Sequence, residues 1–253
     1  MKKRGERDVS LILTGFNEGR ALRKNLRLVK EVLDSTRYSW EIILIDDQSH
    51  DGTARVFSDF AEKNRGVRAF FHEKNVGRGG TVMEGMRNAK GRVVGYLDTD
   101  LEILPVHIAE FIRAVDKGAD VVIARRHYNL TTSVFLRMVL SQGYVFIMRK
   151  WLGLGFRDTE AGCKFFNRRR ILPVLESVKD KRWFFDTEVV VRSFYEGLRV
   201  VELPVVYVWN PDKESSVNVL RDIWCYLGQL WRFKGTMKKE GKFGRKEGDE
   251  STS

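Results

Sequence analysis

The 253-residue chain has few cysteines and no long run of apolar residues. Its two cysteines, Cys163 and Cys225, lie far apart in the sequence, which speaks against both a disulfide framework and a zinc site. No window approaches the roughly 18 uncharged apolar residues that a transmembrane helix requires. The charged start MKKRGERD is followed by no apolar run, so we expect no secretory signal. These absences favour a reducing compartment, and we expect a cytoplasmic protein.

Acidic side chains are outnumbered by basic ones: 34 Asp and Glu stand against 45 Lys and Arg, and the formal net charge is +11. This balance favours polyanionic partners such as nucleic acid, anionic lipid or phosphorylated substrates, although a merely basic surface carries the same charge. The end of the chain from Lys238 is rich in Gly, Lys and Glu, the composition of a disordered segment. We therefore expect one folded domain over residues 1–236 and a disordered tail over residues 237–253.

Strand-like and helix-like segments alternate along the first half of the chain. The predicted strands are residues 9–14, 41–45, 67–71, 92–97 and 120–124, and the predicted helices are residues 18–37, 52–64, 79–89 and 106–115. Short apolar strands joined through helices predict an α/β fold with a mostly parallel sheet covered on both faces.

The second half of the chain contains two long helical segments that are rich in apolar side chains, residues 131–151 and 215–233, and a strand-like segment, residues 200–209. The last helical segment also mixes Trp with Arg and Lys. Both C-terminal amphipathic helices could pack against the sheet or a partner subunit, or could lie in a membrane interface. The pattern leaves these alternatives open, and it is compatible with a homo-oligomer.

Polar clusters follow three predicted strands: FNE from Phe16, DDQSHDGT from Asp46, and Asp98-Thr99-Asp100. Ligands of an open parallel sheet bind beyond the carboxyl ends of its strands, so neighbouring strands would bring these clusters to one cleft. Alternate side chains of an extended segment share one side, so Asp98 and Asp100 can face a single cation. Mg²⁺ or Mn²⁺ would suit this pair and take further ligands from substrate phosphates and water.

Two of the polar segments also have a simpler interpretation. Asp51 or Ser49 can cap the next helix, which explains the end of DDQSHDGT but not its first two carboxylates. Those carboxylates are suited to accept hydrogen bonds from a ribose or a base edge. The segment KNVGRGG precedes a predicted helix; it is either an ordinary loop or a turn that brings Gly77 and Arg78 to a nucleotide phosphate.

Taken in order, these segments resemble the family 2 glycosyltransferases with a GT-A fold, most closely the polyprenyl-phosphate (dolichyl-phosphate) mannose and glucose synthases. The resemblance covers residues 9–233 and is carried by FNE, ILIDDQSHDGT, NVGRGG, YLDTDLE, RDTEAGCKFF, WFFDTEVV and SVNVLRD. It implies a GT-A (Rossmann-like) domain with a nucleotide-sugar half over about residues 1–125 and an acceptor half over about residues 126–236.

The resemblance also implies a role for individual residues. The residues implied to bind the nucleotide are Phe16, Asn17, Glu18, Asp46, Asp47 and, with its metal, Asp98. The residues implied to bind the metal are Asp98, Asp100 and Glu102. The residues implied to bind the acceptor phosphate are Arg126, Arg137 and Ser141, with Asp158 and Lys164 in the acceptor-side loop.

The chain departs from the family pattern at three places. Thr14-Gly15 stands where Pro-x usually precedes the Tyr-Asn-Glu segment, and Ala124-Arg125-Arg126 stands for Gly-Ser-Arg. Glu214-Ser215-Ser216 replaces Gly-Ser-Lys and removes a phosphate-binding lysine, for which Lys213 could substitute.

The resemblance predicts an inverting, metal-dependent transfer of a hexose, preferably mannose from GDP-mannose, to a polyprenyl phosphate at the cytoplasmic face of the membrane. Because the acceptor oxygen is already anionic, no strong base is needed, and we expect Asp98, Asp100, Arg126 and Arg137 to carry catalysis. A family 2 enzyme that uses a UDP-sugar (glucose or GlcNAc) and a lipid-phosphate or saccharide acceptor is the alternative; a saccharide acceptor would require a base such as Asp158 or Asp186. A non-catalytic nucleic-acid- or lipid-binding protein would leave the acidic clusters unexplained, and we expect no nucleic-acid partner.

Overall fold

A computed structural model describes residues 7–19, 21–127, 150, 153–208 and 219–241, with side chains from residue 226 onward in the last range. All structural statements below refer to these residues. Of the predicted site residues, Arg137, Ser141 and Lys213 lie outside them, as does nearly all of the predicted helix over residues 131–151.

Seven strands form one sheet in the order β3-β2-β1-β4-β6-β5-β7. The strands are β1 (Arg7–Gly15), β2 (Trp40–Asp46), β3 (Val67–Phe71), β4 (Gly91–Leu97), β5 (Val121–His127), β6 (Cys163–Asn167) and β7 (Val200–Val206). Neighbouring strands are parallel except at β6, which runs antiparallel to both β4 and β5. The predicted α/β fold with a mostly parallel sheet is confirmed.

Helices cover both faces of the sheet. They are α1 (Leu22–Asp34), α2 (Thr53–Lys63), α3 (Arg78–Asn88), α4 (Ile108–Asp116), α5 (Arg168–Ser177), α6 (Phe185–Tyr195) and α7 (Val219–Lys239), with a 3₁₀ turn at Pro105–His107. Two hydrophobic cores cover the sheet in the described residues: one contains the apolar faces of α1, α2 and α4, and the other contains those of α3, α5 and α6. A smaller third cluster includes the buried side of α7. Each buried leucine or phenylalanine contributes about 1.5–3 kcal/mol to folding, so both cores stabilise the sheet that carries the strand ends.

The strand β6 was not predicted from the sequence, which placed its residues in an acceptor-side loop. Four of its five residues are buried, so it lacks the alternation of a half-exposed strand. A lysine, Lys164, also interrupts its apolar run, although its side chain is fully buried in the structure. The strand forms because β4 and β5 pair with it on either side.

The last helix extends beyond the predicted boundary at residue 236. Met237 is fully buried with Leu230 and Phe233, and Nη1 of Arg192 donates to Oε2 of Glu240 at 2.8 Å. These contacts hold α7 to Lys239, so the first residues of the expected tail belong to the fold. The rest of that tail, residues 242–253, lies outside the described residues. No helix in the described part of the chain has both the length and the hydropathy of a membrane span.

Candidate active site

A cavity of about 400 Å³ opens where β1, β2 and β4 end. The chain passes from β1 to β2 and β3 on one side and then crosses back to β4 on the other side of β1. This reversal of strand order creates a crevice at the carboxyl ends of β1 and its neighbours. The predicted site residues that line the cavity are Phe16, Glu18, Asp47, Gly77, Arg78, Asp98 and Asp100. The structure therefore brings together most of the residues predicted for the nucleotide half.

Asp98 follows β4, and 39% of its side chain is exposed. Its Oδ1 accepts hydrogen bonds from Nε of Arg78 at 3.1 Å and from Nη2 of Arg78 at 2.6 Å. Loss of hydration in the cavity wall raises the pKa of Asp98; Arg78 opposes this shift, while the negative charges of Asp100 and Asp186 add to it. A cation in the cavity would relieve this crowding of carboxylates.

A glycine leaves the space that the Asp98 carboxylate occupies. A Cβ atom on Gly162 would lie 1.7 Å from Oδ2 of Asp98, far inside van der Waals contact. The backbone N–H of Asp98 also donates to the carbonyl of Gly162 at 2.9 Å. The segment before β6 thus fixes Asp98 through backbone contact, a role that sequence reasoning did not assign to Gly162.

A buried ionic cluster lies behind Asp98 and centres on Asp186 of α6. Nζ of Lys164 donates to Oδ1 of Asp186 at 2.6 Å, and Arg78 and the hydroxyl of Tyr96 donate to the same carboxylate. Burial alone would raise the pKa of Asp186, but Arg78 and Lys164 outweigh it and hold that pKa below its usual value. Asp186 is therefore an ionised, fully engaged group that orients Arg78, and it is poorly suited to act as a general base.

Asp47 organises the loop that precedes α3. Its carboxylate accepts hydrogen bonds from the backbone N–H groups of Val76 at 2.8 Å and Gly77 at 2.9 Å. Gly77 has a φ of 89° and lies so close to the carbonyl of Lys181 that a Cβ would be 2.5 Å from its oxygen. Asp47 therefore acts on the loop, which in turn presents Arg78 to the cavity.

Two predicted nucleotide-binding residues do not line the cavity. Asp46 is buried; its Oδ2 accepts from the N–H of Ser49 at 3.0 Å, and its Oδ1 has no hydrogen-bond partner among the described residues. Asn17 joins two loops, since its Oδ1 accepts from the N–H of His50 at 2.8 Å and its own N–H donates to Oγ of Ser49 at 2.9 Å. Their part in nucleotide binding stays a prediction.

The expected three-carboxylate metal site is not assembled. In the described residues, no three His, Cys, Asp or Glu side chains are grouped so that they could hold a metal ion. Oε2 of Glu102 accepts from the hydroxyl of Tyr207 at 2.8 Å, because an isolated β-bridge joins Ile103 to Tyr207. Asp98 and Asp100 do line the same cavity. Two carboxylates fit Mg²⁺ or Mn²⁺ when phosphate oxygens and water supply the other ligands.

Of the residues predicted to bind the acceptor, Arg126 near the end of β5 pairs with Asp158. Nε and Nη2 of Arg126 donate to the two carboxylate oxygens at 2.8 Å and 3.0 Å, a bidentate pair. The guanidinium also lies 5.8 Å from the ring centroid of Tyr207. Arg126 does not line the donor cavity, and its guanidinium is paired with Asp158. The roles predicted for Arg126 in acceptor binding and for Asp158 as a base stay predictions.

Sequence reasoning missed Trp183, which lines the cavity from the loop before α6. The side chain is 73% exposed, and its ring centroid is 5.7 Å from the Arg78 guanidinium. This loop packs directly on the glycine-rich segment: a Cβ on Gly79 would lie 2.4 Å from Cβ of Phe185, and the N–H of Gly80 donates to the carbonyl of Lys181 at 2.9 Å. The motif WFFDTEVV was the available signal, but it carried no assigned role.

Comparison with known proteins places these features in a family. The sequence profile of Glycosyl transferase family 2 matches residues 10–172. Glycosyltransferase AglD of Haloferax volcanii is 30% identical over 230 residues, which cover 89% of this chain and 36% of AglD. Dolichyl-phosphate beta-glucosyltransferase ALG5D of Trichomonas vaginalis is 27% identical over 228 residues, 83% of this chain and 68% of ALG5D. The chain thus spans about a third of the length of AglD and about two thirds of ALG5D.

Solved structures show the same fold. Glucosyl-3-phosphoglycerate synthase from Mycobacterium tuberculosis, in complex with UDP, has a TM-score of 0.65 and 16% identity, covering 90% of this chain and 80% of that chain. The same enzyme with Mn²⁺, UDP and glucosyl-3-phosphoglycerate has a TM-score of 0.62 and 16% identity, covering 89% and 77%. At this level of identity the likeness establishes the GT-A fold alone.

Proposed function

The chain belongs to glycosyl transferase family 2, and on this basis we propose that it transfers a hexose from a nucleoside diphosphate sugar to a polyprenyl phosphate. The observation that carries the proposal is the meeting of Asp98, Asp100 and Arg78 in one cavity at the switch point of the sheet. Paired carboxylates beside a fixed guanidinium suit a metal diphosphate, in which negative oxygens need both a cation and a hydrogen-bond donor.

For the donor, we propose UDP-glucose ahead of the GDP-mannose that the sequence favoured. Relatives from Trichomonas vaginalis, Drosophila melanogaster and Dictyostelium discoideum bear the name dolichyl-phosphate beta-glucosyltransferase. Some of the structural neighbours were solved with UDP or UDP-glucose. These names favour glucose, while nothing in them supports mannose or GDP-mannose.

The cavity residues would contact different parts of the donor. Asp98 and Asp100 would hold a Mg²⁺ or Mn²⁺ ion, which would supply Lewis-acid stabilisation of the departing diphosphate. Arg78, held by Asp186, provides a fixed positive charge beside that group, and fixed charge lowers the barrier without reorganisation during reaction. The half-exposed ring of Phe16 and the indole of Trp183 offer apolar surfaces for the base and the sugar.

The proposed acceptor is a polyprenyl phosphate such as dolichyl phosphate. Dolichyl phosphate appears in the names of several relatives. Its phosphate oxygen would attack the anomeric carbon from the face opposite the diphosphate. The new C–O bond forms as the bond to the diphosphate breaks, and the electron pair leaves with the diphosphate, so the configuration inverts. Arg126, Arg137, Ser141 and Lys213 stay the proposed phosphate-binding residues, and the polyprenyl tail would bring the chain to the cytoplasmic membrane surface.

A saccharide acceptor is less consistent with the site. Such an acceptor needs a base, and the two candidates, Asp158 and Asp186, are bound to Arg126 and to Arg78 with Lys164. Charge pairing lowers the basicity of a carboxylate, which disfavours proton removal from an alcohol. A phosphate acceptor has no such requirement.

The test is a transfer assay with UDP-glucose, GDP-mannose and UDP-GlcNAc as donors and with polyprenyl phosphate or free saccharides as acceptors, in Mg²⁺ or Mn²⁺. We expect a glucosyl lipid phosphate from UDP-glucose, and a loss of at least about 100-fold in Asp98→Asn, as for removal of a group that stabilises transition-state charge. Transfer to saccharides only would support the alternative enzyme. Absence of transfer to any acceptor, with a folded protein, would contradict the proposal.

A further inference from the structure

The ring of His72 lies between carboxylates from two different elements. Nδ1 is 2.8 Å from Oδ1 of Asp47, which follows β2, and Nε2 is 2.9 Å from Oε2 of Glu84 on α3. The side chain is only 10% exposed. A neutral imidazole has a single N–H and could donate to only one of these carboxylates, so the two contacts together require the doubly protonated ring.

One of the two carboxylates is the group that orders the cavity loop. The same Asp47 side chain accepts from the N–H groups of Val76 and Gly77, and Gly77 immediately precedes Arg78. Arg78 in turn donates to Asp98 and Asp186. A continuous series of contacts therefore runs from the His72 ring to the guanidinium in the cavity.

We propose that His72 is a positioning residue: as an imidazolium bound to both Asp47 and Glu84, it fixes the carboxylate that orders the turn at Val76 and Gly77 and so holds Arg78 in place for the donor diphosphate. The proposal rests on the proposed function, since it takes the cavity as the donor site. His72 itself does not line the cavity, so it acts through Asp47 and the loop rather than on the substrate.

The protonation of His72 makes this positioning dependent on pH. Burial lowers the pKa of His72, but the hydrogen bonds and charges of Asp47 and Glu84 outweigh it and raise that pKa above 6.5. The charged groups against the ring are Asp47 and Glu84; Glu73 and Lys74, its neighbours in the chain, are exposed. The stabilisation from this ion pair is complete below the ordinary pKa of histidine and is lost as the pH rises through the raised value.

The test measures UDP binding by titration calorimetry in Mg²⁺ from about pH 6 to about pH 9, a range that brackets a histidine titration. Wild-type affinity should fall by about tenfold as the pH rises, the size of one hydrogen bond to a charged group. His72→Gln should bind about tenfold more weakly at the acid end and show little further change with pH. Comparison among variants removes the titration of UDP itself.

Glu84→Gln separates the charge from the contact. With a carboxamide at position 84, a neutral His72 can donate to Asp47 and accept from the amide, so tight binding should persist across the range. His107→Gln, the same replacement at a histidine outside the cavity, should keep the wild-type profile. A wild-type profile in either His72→Gln or Glu84→Gln would overturn the proposal.

Hydrogen exchange gives a readout that is independent of donor chemistry. We expect the Val76 and Gly77 amides to lose protection in His72→Gln, and in the wild type above the pKa of His72, relative to Glu84→Gln at the same pH. Unchanged protection would overturn the positioning role even if UDP binds. If no nucleoside diphosphate binds the wild type while the amides respond as expected, the proposed donor site is wrong and the ordering of the turn by His72 stands.

Discussion

Glycine at position 162 is required by the position of a carboxylate rather than by backbone conformation. A Cβ at 1.7 Å from Oδ2 of Asp98 would force that side chain or the segment before β6 to move by more than 1 Å, since real Cβ contacts rarely fall below 3.0 Å. The site cannot absorb such a shift, because Asp98 is also bound to Arg78 and, through its amide, to Gly162 itself.

Gly162→Ala should therefore reduce the transfer rate by about 100-fold, as expected when a catalytic group is displaced by about 1 Å. Steady-state rates and the Mg²⁺ dependence of UDP binding would measure the loss. Gly155→Ala is the matched control, since a Cβ there meets no atom within 4 Å. A Gly162→Ala enzyme with the rate of the control would show that Asp98 does not need its observed position.

Lys164 shows how a basic protein can hold an acidic corner. Its ammonium is completely buried and donates to Asp186 and to the carbonyl of Ala161, both at 2.6 Å. Burial lowers the pKa of Lys164, and the charge and hydrogen bond of Asp186 offset only part of that shift. Asp186 is thus the group that favours the charged form of the lysine. Removal of one partner leaves the other as an uncompensated buried charge.

We expect Lys164→Met to lower the free energy of unfolding by about 3–5 kcal/mol, the usual cost of breaking a buried ion pair. Urea denaturation followed by circular dichroism would measure it. Lys179→Met provides the control, because that lysine is 71% exposed and its pairing with Glu240 is long, at 3.8 Å. Equal stabilities of the two variants would mean that Arg78 and Tyr96 alone compensate Asp186.

At the scale of elements, the first half of the fold was predictable, as were β7 and most of α7, whereas β6, α5 and α6 were not predicted. Strands β1–β5 and helices α1–α4 have clear hydrophobic patterns, and their observed bounds differ from the predicted ones by a few residues. α6 is buried on nearly every side, so it has no polar face and no readable helical period. α5 contains Pro173, a helix breaker, inside its span.

The candidate site divides in the same way. The carboxylates of the strand ends were predictable, because parallel strands bring their carboxyl ends to one edge of a sheet. Their partners were not: Arg78 and Asp186 are 108 residues apart, and the His72 contacts join three elements. Pairings of this kind depend on tertiary geometry, on which periodicity and local motifs carry no information.

The loop before α6 offers a prediction at this scale, because it places Trp183 at the cavity without burying it. An exposed indole contributes little to stability, but stacking on a base or a sugar contributes roughly 1–3 kcal/mol. Trp183→Ala should raise the KM for UDP-glucose by about tenfold or more and leave the melting temperature unchanged. Trp231→Ala, at an indole of similar exposure (69%) on α7, is the control. Equal KM values in the two variants would remove Trp183 from the donor site.

At the scale of the whole molecule, the net charge and the site charge have opposite signs. The chain carries +11, yet Asp98, Asp100 and Asp186 gather at one end of the sheet. The acidic corner is small and internally compensated by Arg78 and Lys164, so it leaves the positive field of the surface largely intact. A positive surface attracts anionic lipid. Dissolved salt screens this attraction, so the attraction is strong only when the ionic strength is low.

This charge balance predicts salt-dependent binding to membranes that contain the proposed acceptor. In flotation experiments, the chain should rise with vesicles of anionic lipid and polyprenyl phosphate at low salt, and should be released as the ionic strength shortens the Debye length from about 30 Å at 0.01 M to about 10 Å at 0.1 M. Vesicles of neutral lipid alone should recover much less protein, because they offer no counter-charge. Recovery of the chain only in the soluble fraction, at low salt and with anionic vesicles, would contradict a peripheral membrane enzyme, since the polyprenyl tail of its acceptor cannot leave the lipid.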